Sequence, residues 1–185
     1  MHKTIVLILF ACILLAILIP EAMRKGRGLE VIGKPSINKW LFIKAKLLMV
    51  LSWSFMVVQA MGIDLHSVFI PEYVLWIATF ILFVGAVFLI LALYHLGEST
   101  RMGLPTDTTV LKTEGMYNVS RNPLYVGAYT IGIASCIYCP NVINLLATAG
   151  FMYLHHRIVL GEEAFLQKQF GDAWSVYARK VRRYL

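Results

Sequence analysis

Two short stretches of this chain combine residue types that do chemistry. The first is Ser120-Arg121-Asn122-Pro123-Leu124-Tyr125-Val126-Gly127. Asn suits a helix N-cap and Pro the first helical position, so a helix is expected to begin here with free N–H groups at its positive dipole end. With Arg121 alongside, such a terminus favours an anion. An ordinary capped helix with an interfacial Arg and Tyr would carry the same residues. The second stretch is His155-His156-Arg157-Ile158-Val159-Leu160-Gly161-Glu162-Glu163. Adjacent carboxylates at the end of an apolar run are costly near lipid unless they meet water, a cation or a ligand. Glu162 and Glu163 either recognise a cationic ligand or open a surface helix over 162–170, where acids favour the helix dipole.

Other chemistries find less support. His155 and His156 are adjacent, so they point about 100° apart on a helix and do not converge on one ion; no metal site is expected. Cys136 and Cys139 have CxxC spacing, which allows a redox role or simple apolar packing. All three cysteines lie in or beside apolar runs, unlike a secreted disulfide framework. His95 ends an apolar run as a pocket residue or, as we prefer, an interfacial one. There is no phosphate-binding or dinucleotide glycine fingerprint, and nothing suggests nucleic acid.

The elements that must hold these stretches are set by composition. Of 185 residues, 59% are apolar and 15% charged, against roughly 45–50% and about 25% in soluble domains. One globular core cannot absorb that excess. A soluble enzyme, a disordered binder and a stapled secreted domain are therefore poor readings, and the bilayer is the expected solvent. Five apolar segments stand out, at 4–19, 45–63, 73–94, 124–138 and 142–154. The first ends at Pro20, and the second is broken only by Lys46 at its start. The last two are short against the ~20 residues that cross ~30 Å of hydrocarbon; we favour two spans over a shallow hairpin. The expected fold is an all-α membrane protein with about five transmembrane helices. Gly62, Gly85, Gly132 and Gly150 are expected at close helix contacts.

Sixteen of the seventeen Lys and Arg residues fall in the loops of one side, with Lys3 alone on the other. The positive-inside rule puts the amino terminus outside and the carboxyl terminus in the cytosol. The basic excess serves topology and attraction to anionic lipid. A cleaved signal peptide is not expected, because no convincing small-x-small site follows the first run. The chain divides into three amino-terminal spans (1–95) and a half carrying the chemistry (96–185), together forming one integral membrane domain (1–185). The connection 96–122 is too long and too punctuated by turns for a plain linker. At the far end Gly171 is expected to stop a helix, and Trp174, Tyr177 and Tyr184 sit among basic residues as an interfacial tail.

With these residues in place, the second half resembles the isoprenylcysteine carboxyl methyltransferase family, related to the phospholipid methyltransferases. The resemblance runs from about Leu96 to Tyr184. It rests on Leu111-Lys112-Thr113-Glu114-Gly115-Met116-Tyr117, on Arg121 to Gly127, and, two apolar runs later, on Glu162-Glu163-Ala164-Phe165-Leu166, Phe170-Gly171 and Tyr177. It implies S-adenosylmethionine as cofactor in a cytosolic pocket. Thr109, Val110, Leu111 and Lys112 would line the cofactor through backbone, Tyr117 would pack on it, Asn122, Pro123, Leu124 and Tyr125 would close the other wall, and Glu162 would contact its polar end. Arg121 and Glu162 would be the catalytic pair. Arg157 is the nearest match to the family's substrate-side Arg, whose own position holds Ile158 here. The family's Arg-His-Pro reads Arg-Asn-Pro, with Asn122 in place of an imidazole.

A sulfonium donor arrives already activated, so the protein mainly aligns donor and acceptor. The acceptor would be lipophilic, either an isoprenylcysteine-type carboxylate or a phospholipid-type amine, entering from a prokaryotic plasma membrane. Two other readings stay open: a membrane sterol or enone reductase using NADPH, and a non-enzymatic lipid-binding protein.

Overall fold

The computed structural model describes residues 1–28, 33–97, 103–104 and 110–185. These form α1 (His2–Gly26), α2 (Lys39–Ala60), α3 (Glu72–Leu96), a 3-10 turn (Gly115–Asn118), α4 (Pro123–Tyr138), α5 (Val142–Phe170) and α6 (Asp172–Lys180). Among the described residues there is no strand, only an isolated bridge between Lys34 and Leu104. The all-helical expectation holds. Helices α1, α2 and α3 are each long and apolar enough to cross a membrane. Helix α4 has 16 residues, about 24 Å at 1.5 Å per residue, and α5 is apolar only as far as Leu154.

Two boundaries differ from the sequence reading. Helix α1 does not stop at Pro20 but continues to Gly26. The residues after Pro20, Glu21-Ala22-Met23-Arg24-Lys25, are good helix formers, and the basic pair suits the negative end of the dipole. Helix α5 is continuous from the apolar run into the polar segment, so no separate helix starts at 162. Gly161, the one candidate breaker, is a packing residue: a Cβ there would lie 2.6 Å from the carbonyl oxygen of Ser36. Glu162 and Glu163 therefore sit well inside a helix, and the dipole explanation for them fails. Gly171 does end α5, at a φ of 52°.

The tightest crossing joins α3 and α4. Leu82, Gly85, Leu89 and Ala92 on α3 face Gly127, Ile131, Ala134 and Tyr138 on α4, each set at alternating spacings of three and four. A Cβ on Gly85 would meet the Gly127 carbonyl at 3.0 Å, and one on Gly127 would meet the Leu89 backbone nitrogen at 2.7 Å. The two backbones touch, as small residues allow in lipid. Gly132 likewise admits the Phe151 ring of α5. Gly62 is different: with a φ of 97° and open space around it, it turns the chain after α2 instead of packing helices.

Polar side chains tie the remaining helices at the end away from the basic loops. Ser52 and Thr148 share a hydrogen bond of 2.7 Å between α2 and α5. Ser135 donates to the Ser52 carbonyl at 2.6 Å, and the Asn144 amide donates to the carbonyls of Ser135 and Cys139. The Cys136 thiol donates to Thr148 at 3.1 Å. All three cysteines are free, and Cys136 serves this network. Buried polar groups at this depth need such partners.

Backbone contact at Gly127 makes a directional prediction. Gly127→Ala should destabilise the bundle by about 1–3 kcal/mol through overpacking, although helix propensity alone favours Ala by about 1 kcal/mol. Gly26→Ala, with nothing within 4 Å, should be neutral or stabilising. Thermal unfolding in detergent measures both; equal shifts would dissolve the crossing argument.

Candidate active site

The site is built where α5 leaves its apolar stretch. Ile158 and Val159 are fully buried there, and the two following acids, separated by about 100° of helix rotation, meet different surroundings. Glu163 turns toward the loop before α4 and the chain after α6. It accepts from Arg121 Nε at 3.2 Å and Nη2 at 3.3 Å, from the Asn122 amide at 3.0 Å and from Arg183 Nε at 3.0 Å. Burial alone would raise its pKa, but the Arg183 and Arg121 guanidinium groups outweigh that and hold the carboxyl below its usual value. Arg121 spends its remaining donor on the carbonyls of Ala178 at 2.7 Å and Val181 at 3.2 Å, and its guanidinium stacks over Trp174. Its backbone N–H donates to the Arg182 carbonyl at 2.9 Å. Arg121 and Glu163 thus lock α6 and the chain end onto α5, with Trp174, Tyr177 and Val181 packing beneath.

Glu162 turns the other way. Among the described residues its carboxylate accepts hydrogen bonds from the Tyr125 hydroxyl alone, which donates to both oxygens at 3.0 and 3.1 Å. No cation lies within ion-pair distance among the described residues. Burial pushes its pKa up to about 7, with Lys46 and the Tyr125 hydrogen bond opposing. This carboxylate lies on the wall of a cavity of about 260 Å³ between all five long helices. The cavity is apolar over most of its surface, with Trp53, Leu89 and Leu93 among its walls. Its polar residues gather at the end that carries the basic loops: Glu21 from α1, Lys46 from α2, and His155 and Glu162 from α5.

Lys46 and His155 were not singled out from the sequence as partners, yet their side chains meet. His155 Nδ1 lies 2.8 Å from the Phe151 carbonyl, which fixes the proton on Nδ1. Its Nε2 then accepts from Lys46 Nζ at 3.2 Å. A lone Lys at the start of an apolar run was the one signal available; the partner 109 residues away was not readable. His156 faces elsewhere, with Nδ1 2.8 Å from the Tyr184 hydroxyl, so the two histidines diverge.

The structure brings some expected residues together and separates others. Tyr125 and Glu162 are bonded, Leu124 lines the same cavity, and Pro123 is fully buried at the first position of α4. Asn122 occupies the N-cap position, but its side chain makes no cap hydrogen bond. The amide is taken instead by Glu163 and by the Arg183 carbonyl at 3.2 Å. Arg121 belongs to the Glu163 cluster and not to the cavity. Arg157 lies on the exposed face of α5, 3.4 Å from the Tyr153 hydroxyl; one residue from buried Ile158, it is rotated away from the cavity. Tyr117 is anchored through its carbonyl, which accepts from Tyr177 at 2.6 Å, and burial raises its own hydroxyl pKa. Leu111 packs on the Trp174 cluster, Lys112 is half-buried beside it and Val110 is exposed. Thr109 lies outside the described residues. His95 is half-buried and does more than mark an interface: Gly115, at a φ of 61°, packs so closely on its ring that any Cβ would collide.

Glu163→Gln leaves two guanidinium groups without their anion. It should destabilise the fold by about 3 kcal/mol, toward the low end for a broken buried pair because Arg183 is partly in water. The stabilisation from Glu163 is present above the ordinary carboxylate value of 4.5 and lost as pH falls below it. Melting temperature against pH should therefore drop on the acid side in the wild type and be flatter in Glu163→Gln. Identical acid limbs would remove the clamp from the account.

A comparison with curated proteins finds no match. The family model for phospholipid methyltransferases (PEMT) matches residues 73–173, more than half of the chain and all of the segment from α3 to the start of α6. It takes in Tyr125, Glu162, Glu163 and the Arg121 loop. This all-helical bundle with membrane-crossing helices belongs to the phospholipid methyltransferase family of integral membrane methyltransferases.

Proposed function

We propose that this chain transfers a methyl group from S-adenosylmethionine to a lipophilic acceptor, at a site facing the cytosol. The observation that carries the reading is the asymmetry of the two acids. Glu163 is neutralised by two guanidinium groups, whereas Glu162, half-buried at the cavity wall, has among the described residues only the Tyr125 phenol as a hydrogen-bond partner. A carboxylate without a counter-ion facing an apolar cavity is costly and is kept for something it binds. A ligand bearing positive charge fits that need. The segment 110–117, held against α6 by Leu111 and by the Tyr177 bond, supports the remaining wall in the manner the family resemblance implies.

When bound, S-adenosylmethionine supplies a methyl group already activated on a sulfonium. The chain's own residues have three tasks. Glu162, oriented by Tyr125, complements the positive charge of the donor in a low-dielectric setting, where a fixed charge counts for more than in water. The Arg121–Glu163 clamp holds the loop before α4 so that Tyr125 stays in reach. The apolar cavity between the helices receives the lipophilic part of the acceptor directly from the bilayer and keeps water from the reacting groups. Glu162 and the Arg121 loop lie at the basic end of the bundle, which the positive-inside rule assigns to the cytosol.

Calorimetry in detergent tests this. The wild type should bind S-adenosylmethionine, and Glu162→Gln, which keeps an acceptor for Tyr125, should weaken binding roughly tenfold or more through loss of a charge-assisted contact. Because the Glu162 carboxyl titrates at about 7, wild-type affinity should fall as pH drops through neutrality, and the variant should show no such step. Wild-type protein that binds NADPH but not S-adenosylmethionine would overturn the reading, as would an unchanged affinity in Glu162→Gln.

A further inference from the structure

The polar end of the cavity contains a cation that the donor reading does not use. Lys46 Nζ has one hydrogen-bond partner, His155 Nε2 at 3.2 Å, and the Phe42 ring 5.3 Å away. His155, with its proton committed to the Phe151 carbonyl, is neutral and cannot balance the charge. Among the described residues, two of the three ammonium N–H groups have no acceptor. Both acids on the cavity wall, Glu21 and Glu162, lie beyond ion-pair distance of Nζ, and Glu162 is held by Tyr125. A Lys–Glu pair serving only to neutralise itself would close to contact at this burial, because separation forfeits the Coulombic return on desolvating both groups. Here each charge is fixed by its own neutral partner, Lys46 by an imidazole and Glu162 by a phenol, on different helices facing one space. On the same wall, the buried Trp53 Nε1 is without a hydrogen-bond partner.

We propose that Lys46, oriented by His155, is the oxyanion-binding residue of the acceptor cavity, taking the carboxylate or phosphodiester of the amphiphile that the methyltransferase reading already expects. This assignment rests on the methyltransferase reading for the word acceptor, but the binding site itself does not. The apolar walls take the chain of the amphiphile, and the ammonium takes its oxyanion. The group to be methylated then lies on the Glu162 side, where the donor charge is complemented. Lys46 fills the role that Arg157, on the outer face of α5, is not placed to perform. His155 is a positioning residue: it holds the ammonium at the cavity wall without adding charge.

The test is binding without any methyl donor, so that it stands apart from the methyltransferase reading. Purified full-length protein in a neutral detergent is titrated calorimetrically with decanoate, with dihexanoyl-phosphatidylethanolamine and with decanol as an uncharged-oxygen control. The wild type should bind at least one of the two oxyanions. Lys46→Met should weaken that binding about tenfold or more, the size expected for a lost charge-assisted hydrogen bond, and Lys46→Arg should restore most of it. Which arm responds identifies carboxylate or phosphodiester as the source. His155→Gln should weaken the same arm by a smaller factor. A melting temperature for Lys46→Met close to wild type separates this site from a folding defect, and the absence of methyl donor from every titration separates it from the donor site; if Lys46→Met does not fold, the Lys46→Arg and His155→Gln titrations decide. Equal binding of the responsive oxyanion by wild type, Lys46→Met and His155→Gln would overturn the proposal, as would wild-type protein that binds neither oxyanion or binds decanol better than both.

Discussion

A carboxylate next to hydrocarbon must be compensated, and this chain places two of them side by side. The cost is resolved differently for each. Glu163 is surrounded by Arg121, Asn122 and Arg183, and that cluster ties together three segments distant in sequence: the loop before α4, the middle of α5 and the chain after α6. Because the same loop starts α4, the clamp also fixes where Tyr125 stands, and Tyr125 is what holds Glu162. Remove the neutralised acid and the unneutralised one loses its support. The first acid holds the architecture, and the second is left facing the cavity.

The arrangement also explains the shape of the bundle around the site. Helices α3 and α4 cross backbone to backbone at Gly85 and Gly127, which gives a rigid wall. Opposite them, α2 and α5 are joined at one end by Ser52 and Thr148 and at the other by Lys46 and His155. Between the two pairs the side chains do not fill the space, and the cavity opens there with its polar residues gathered at one end. A site of this kind suits a reaction between a polar donor and a lipidic partner, since each approaches from its own solvent. Membership of the phospholipid methyltransferase family accords with that geometry.

Much of this was legible in the sequence, for identifiable reasons. Long uncharged runs disclose helices because lipid tolerates nothing else, and α1, α2 and α3 follow them. Gly171 announced a helix end because few other residues accept a φ of 52°. The ordered motifs shared with the family singled out Tyr125 and Glu162, though not the hydrogen bond between them. Other features depend on tertiary contacts that carry no local mark. A surface helix opening at 162 was one of two readings of the paired acids, but Gly161 packs on Ser36 and α5 runs on through it, a contact with no local mark. Asn122 looked like a cap and serves Glu163, because a carboxylate across the fold outcompetes a backbone N–H. Arg157 was only the nearest match to the family's Arg, one residue from its position at Ile158, and that one residue of helical rotation carries it outside. Lys46 looked like an edge residue because its partner lies on another helix.

The central claim is that a membrane lipid-phase acceptor is methylated here. The most direct measurement incubates the purified protein, in nanodiscs made from native membrane lipid, with S-adenosylmethionine carrying a labelled methyl group, then partitions the mixture between water and organic solvent. The account predicts time-dependent appearance of label in the organic phase, saturable in donor and abolished by an excess of the demethylated donor product. Label that stays in the aqueous phase, from protein shown to be folded and to bind the donor, would contradict it.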